Sequence, residues 1–125
     1  MNETKVTNLD IQCAELGRKL AGLQGMEEKI LNAALTVLEE QGPYAMFLYL
    51  GARHSAVAEE VEKQSLKFLK GVFNNKPNNT NPKDMLTAIS QLAENLDDLL
   101  FARDLLRTVL SYARYHLKAK GGIAS

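Results

Sequence analysis

The sequence predicts an all-α fold, a single compact bundle of five or six helices. Three observations carry that prediction. First, 125 residues suffice for one domain with one core and are too few for two. Second, apolar residues make up 46% of the chain and are mostly Leu and Ala, which lose little side-chain freedom in a helix. Third, the apolar positions recur in steps of three and four.

The first helix reads LDIQCAELGRKLAGL, in which Leu9, Cys13, Leu16, Leu20 and Leu23 form one seam. Asn8 or Asp10 can cap its start, and Gly22 and Gly25 help to end it. Residues 1–8 are polar, unlike a signal peptide, and read as a flexible lead-in. The second helix, MEEKILNAALTVLEEQ, has glutamates in its first turn, where the helix dipole favours them. Met26, Ile30, Ala34, Val37 and Leu38 supply its buried stripe. Gly42-Pro43 then breaks the chain, and the proline suits the first position of a third helix.

That segment, PYAMFLYLGAR, is apolar almost all round and is expected at the centre of the core, buried on every side. A fourth helix follows with Ser55 as N-cap and Val57, Val61, Leu69 and Val72 at helical spacing. NNKPNNTNP, residues 74–82, is read as a surface loop within the one domain, which spans 1–125. Asn81-Pro82 then suits the start of a helix carrying Met85, Leu86, Ile89, Leu92, Ala93 and Leu96. Asn95 and Asp98 have capping-box spacing, which predicts a last helix over about 98–119, ended by Gly121-Gly122.

Fifteen acids balance fifteen bases, so the molecule as a whole exerts no long-range pull on nucleic acid or membrane. Electrostatic binding has to come from local clustering. Cys13 is the only cysteine, which excludes an internal disulfide and a cysteine-rich zinc site and points to a reducing cytoplasm. No apolar run approaches the ~20 residues needed to span a bilayer.

The local clustering is on the last helix. At ~100° per residue, Leu99, Ala102, Leu106, Val109, Leu110, Ala113 and Leu117 form the core arc. Arg103, Arg107, Arg114 and Lys118 share a second strip, with Asp104 off to the side, and Phe101, Tyr112 and Tyr115 form a third. The basic strip can hold a nucleic-acid backbone, while the aromatics suit bases or a protein partner. The same strip also fits a solvated helix face, with cations favoured toward the C-terminal end by the dipole. Lys63, Lys67 and Lys70 form a smaller ladder on the fourth helix, where Glu59 and Glu60 can partly neutralise Lys63.

Nothing in the sequence argues for an enzyme, a cofactor, a metal or a small-molecule substrate. His54 and His116 are the only histidines and lack a second ligand at i+4 spacing. The zinc-protease, P-loop and nucleophile-elbow motifs are absent. His116 reads as a hydrogen-bonded structural histidine, His54 as a neighbour of a helix cap, and Cys13 as an inert seam thiol. Asp97 and Asp98 are explained by starting a helix.

The glycine-led GPYAMFLYL segment, the polar mid-chain loop, and the run ENLDDLLFARDLLRT leading to Tyr112-Ala113-Arg114-Tyr115 and Lys118-Ala119 occur in that order. From about residue 26 onward this pattern resembles the small all-helical subunit of type III-B (Cmr) CRISPR effector complexes. The chain departs from that family in lacking a tryptophan in its C-terminal run. The resemblance implies a non-catalytic subunit of an antiviral ribonucleoprotein. It would stack with other effector subunits and further copies of itself, its basic residues facing the backbone of guide or target RNA. The alternative, from a different class, is a helical adaptor or chaperone-like module whose basic strip meets acidic protein and binds no nucleic acid.

Overall fold

A computed structural model describes the backbone of residues 2–73 and 84–124 and the side chains of 8–73 and 84–120. Over the described residues it is an all-α bundle of six helices. They are α1 (Asn2–Ala21), α2 (Glu28–Gln41), α3 (Pro43–Arg53), α4 (Ser55–Val72), α5 (Met85–Leu92) and α6 (Leu96–Ala124). Among the described residues no helix is long and apolar enough to cross a membrane.

The first helix's seam packs as its spacing predicts: Cys13, Leu16 and Leu20 are buried, and Leu9 and Leu23 are packed against the core. Gly25 makes the turn into α2 at a φ of 91°, a backbone region that side-chain-bearing residues avoid. Gly42 does the same between α2 and α3 at 98°, and its N–H donates to the carbonyl of Leu38 at 2.9 Å. Pro43 then opens α3 at a position where no intrahelical N–H is needed.

The two longest-range packings fix the layout. Cys13 meets Leu105, and Gly17 meets Val109, Tyr112 and Ala113, so α1 and α6 run in the same direction. Glu39 meets Arg107, Asn32 meets Arg114, and Glu28 meets Lys118, so α2 runs against α6. Leu31, Leu38, Met46, Phe47, Leu50, Met85 and Leu106 fill the space between the helices, all 2% exposed or less. Each such side chain contributes about 1.5–3 kcal/mol of burial, an upper bound because the unfolded chain is itself partly compact.

Several boundaries and faces differ from those the sequence predicts. The helix α1 begins at Asn2, so the backbone is helical through most of the stretch read as a flexible lead-in. The other end of the chain behaves alike: α6 runs through Gly121-Gly122 to Ala124. His54, not Ser55, is the cap residue of α4. The loop read at 74–82, with Asn81 and Pro82, lies outside the described residues. The cap of α5 is Asp84, whose carboxylate accepts the Thr87 N–H at 2.8 Å and is held below the usual carboxylate range by that bond. Asn95 accepts the Asp98 N–H at 3.3 Å at the start of α6, as the capping spacing predicts.

The largest correction concerns α3. Its Met46, Phe47 and Leu50 are buried, but Tyr44 and Leu48 are 44% and 51% exposed. An all-apolar helix therefore lies at the edge of the core and leaves one apolar side outside. Ala93 and Leu96, expected on the fifth helix, lie beyond its last residue, Leu92, and are exposed at the turn into α6. Leu105, outside the predicted core arc of α6, is buried against α1.

Candidate nucleic-acid interface

Arg103, Arg107, Arg114 and Lys118 lie along one side of α6 over about 22 Å at 1.5 Å per residue. The expectation that they stand clear of acids does not hold. Arg107 Nε is 3.2 Å from Glu39 Oε2, an ionic contact off the N–H axis, and Arg107 Nη2 is 3.5 Å from Asp104 Oδ1. Arg114 donates to Asn32 Oδ1 at 3.2 Å, and Lys118 Nζ is 3.6 Å from Glu28 Oε2. Asp104 is thus a partner of the strip and not a bystander.

The register explains this. From Arg107 to Arg114 to Lys118 the steps are seven and four residues. On α2, running the other way, the steps from Glu39 to Asn32 to Glu28 are also seven and four. Both spacings keep side chains on one helix face, so two antiparallel helices meet as a charged seam. Glu28, Asn32 and Glu39 are the functional candidates that reading the strips one helix at a time misses. The matching steps were legible, but only once α2 was known to be the antiparallel neighbour.

The seam remains wet. Side-chain exposure is 41% for Arg107 and 61% for Lys118. Ion pairs at such exposure are worth about 0–1 kcal/mol each. Arg103 has no ion pair with a described residue, whereas Nε of Arg103 and of Arg114 is buried away from solvent without an acceptor.

Lys63, Lys67 and Lys70 on α4 are all exposed and in no ion pair with a described residue. The expected neutralisation by Glu59 and Glu60 is not formed; Glu60 instead accepts Gln64 Nε2 at 2.8 Å. Beside the lysines on the same helix, burial pushes the Glu62 carboxyl above its usual range, aided by the charges of Asp84 and Glu59.

The three aromatics do not form one exposed patch. The Phe101 ring packs edge-on against Phe73 with centroids 5.9 Å apart. Tyr112 is half-buried beside α1, its hydroxyl donating to Asp10 at 3.4 Å, and the Asp10 charge raises its pKa. Tyr115 alone of the three is mostly exposed, at 63%.

The residues weighed for chemistry are occupied elsewhere. Cys13 is buried, its S–H facing the Leu105 carbonyl at 3.9 Å, and burial pushes the thiol up to about 11, with Asp10 adding to the shift. His54 sits edge-on to Tyr49, with Nε2 at 3.4 Å from its hydroxyl. His116 is half-buried and, contrary to expectation, has no hydrogen bond to a described residue. Among the described residues no three His, Cys, Asp or Glu side chains converge as metal ligands would. The chain matches no family model, no curated protein and no solved structure at the significance applied.

Proposed function

We propose that this chain is a non-catalytic subunit of an RNA-guided ribonucleoprotein of the type III-B CRISPR effector class, with α6 laid along a guide or target backbone. The observation that carries the reading is the row of four cations on one side of α6, still partly exposed, with Arg103 in no ion pair with a described residue. Phosphate contacts of this kind position a strand without reading its sequence. The resemblance of GPYAMFLYL and of the α6 run supports the assembly. So do Tyr44, Leu48, Leu100 and Tyr115, which leave apolar surface for neighbouring subunits or further copies of the chain. The engagement of His54 and the raised thiol of Cys13 support a role without catalysis.

A second reading, a helical interaction module that binds no nucleic acid, is favoured by one specific observation. Three of the four cations already have partners on α2. Recovery of the tagged chain from its native cells separates the two. A defined RNA together with CRISPR-associated subunits is the expected result. Protein partners that stay bound after nuclease treatment, with no RNA, would replace the first reading by the second.

A further inference from the structure

We infer that the acidic side of α2 is an internal competitor for the cations of α6, so that Glu28 and Glu39 set how strongly this seam takes a single-stranded RNA backbone. The inference rests on the nucleic-acid reading of α6 and adds its regulation. Carboxylate and phosphate ask the same geometry of a guanidinium, so whatever Glu39 gives Arg107 a phosphate oxygen can replace. The contacts are 3.2–3.6 Å long between side chains two-fifths to three-fifths exposed, which makes them weak enough to exchange. Lys118 faces Glu28 and Arg107 faces Glu39 and Asp104, so three acids offset most of the strip's four positive charges, while Arg114 meets the neutral Asn32. The whole chain carries no net charge, so the molecule as a whole adds no long-range attraction for a polyanion. Arg103, half-buried and in no ion pair with a described residue, is the cation a strand would meet without displacing a carboxylate.

The test uses the purified full chain, a labelled oligouridine of about 20 nucleotides, and anisotropy across a salt series. Glu28→Gln with Glu39→Gln removes two charges and keeps two acceptors. Removing both α2 carboxylates, with Asp104 still beside Arg107, should tighten binding on the order of tenfold at ~50 mM salt and steepen the log–log salt slope by up to about 1.4, since each backbone contact on a single strand adds about 0.7. Glu39→Gln alone should give about half that change in slope, which keeps the test valid if the double variant folds poorly. The control is Glu15→Gln with Glu40→Gln, two exposed acids in no ion pair with a described residue, which changes net charge equally. No gain in the seam variant, including binding that stays undetectable, overturns the inference. So does an equal gain in the control, because the effect is then net charge and not the seam. A gain with an oligoglutamate of similar length but none with oligouridine also overturns it and assigns the seam to an acidic protein. A gain with oligouridine alongside a native recovery free of RNA leaves the competition standing and removes the ribonucleoprotein reading. The reverse pair of results does the opposite.

Discussion

The helix α6 is shared by two contacts that are built on different physics. Toward α1 it is dry and close: a Cβ on Gly17 would lie 2.7 Å from Tyr112 Cβ and 2.8 Å from the Val109 carbonyl oxygen, and Cys13 is 1% exposed. Toward α2 the core side is apolar through Leu31, Ala34, Leu35 and Leu38, but the outer edge is a row of ion pairs open to water. The first contact works by exclusion of volume and water. The second adds little to stability at its edge and is therefore free to exchange partners. One helix can thus be anchored on one side and available on the other.

The largest effect expected is on the α1 side. Gly17→Leu must push apart two helices whose obstructing atoms include backbone, and it should cost about 3 kcal/mol or more in urea denaturation. Gly17→Ala should cost less, about 1–3 kcal/mol. A Gly17→Leu protein as stable as the wild type would mean the two contacts do not differ in closeness.

The buried thiol sharpens the same side. Unfolded, Cys13 ionises near about 8.5; folded, burial holds it protonated to about 11. The folded state therefore keeps its proton where the unfolded state has lost it. The thiol's share of stability is complete below about pH 8.5 and is lost as pH rises toward 11. Urea midpoints at pH 7, 9 and 10.5 should fall more steeply for the wild type than for Cys13→Ala. Parallel curves would place the thiol in contact with water.

On the α2 side the effects on folding shrink. Arg107→Gln with Arg114→Gln should lower stability by about 1 kcal/mol or less per contact and leave helix content unchanged. If α6 lies along RNA as proposed, the same pair should weaken RNA binding almost independently of base sequence and make it less salt-dependent. An unfolded double variant would make the seam structural. Unchanged RNA affinity in a folded one would make it a solvated face. The smallest effect is that of Glu28→Gln with Glu39→Gln, which should shift the urea midpoint by no more than a few tenths of a kcal/mol. A large loss there would erase the contrast between the two sides.

Much of this was readable before any coordinates. Cys13, Leu16 and Leu20 on α1, and Val57, Val61 and Leu69 on α4, are buried where a helical period places them. The cap at Asn95 was legible because a side chain three residues from a free N–H needs no tertiary help to reach it. The candidate site was half legible. Its cations stood out as a strip, but Glu28, Asn32 and Glu39 look like ordinary surface residues when α2 is read alone. The expected pairing of Glu60 with Lys63 is not formed, and Glu60 instead accepts from Gln64, one turn on, at 2.8 Å.

By itself the sequence determined the helical class, the faces of the amphipathic helices and the existence of a basic strip, because each depends on residues a few positions apart on one helix. Where a segment had no period, as in PYAMFLYLGAR, it could not say which side turns inward. Packing decided that Tyr44 and Leu48 stay outside while Met46, Phe47 and Leu50 go in. Packing likewise set α1 parallel and α2 antiparallel to α6. What a charge meets across a seam depends on which helix lies beside it and in what direction. Those are long-range choices made by the core, so only the tertiary structure could turn a free basic strip into one that faces its own carboxylates.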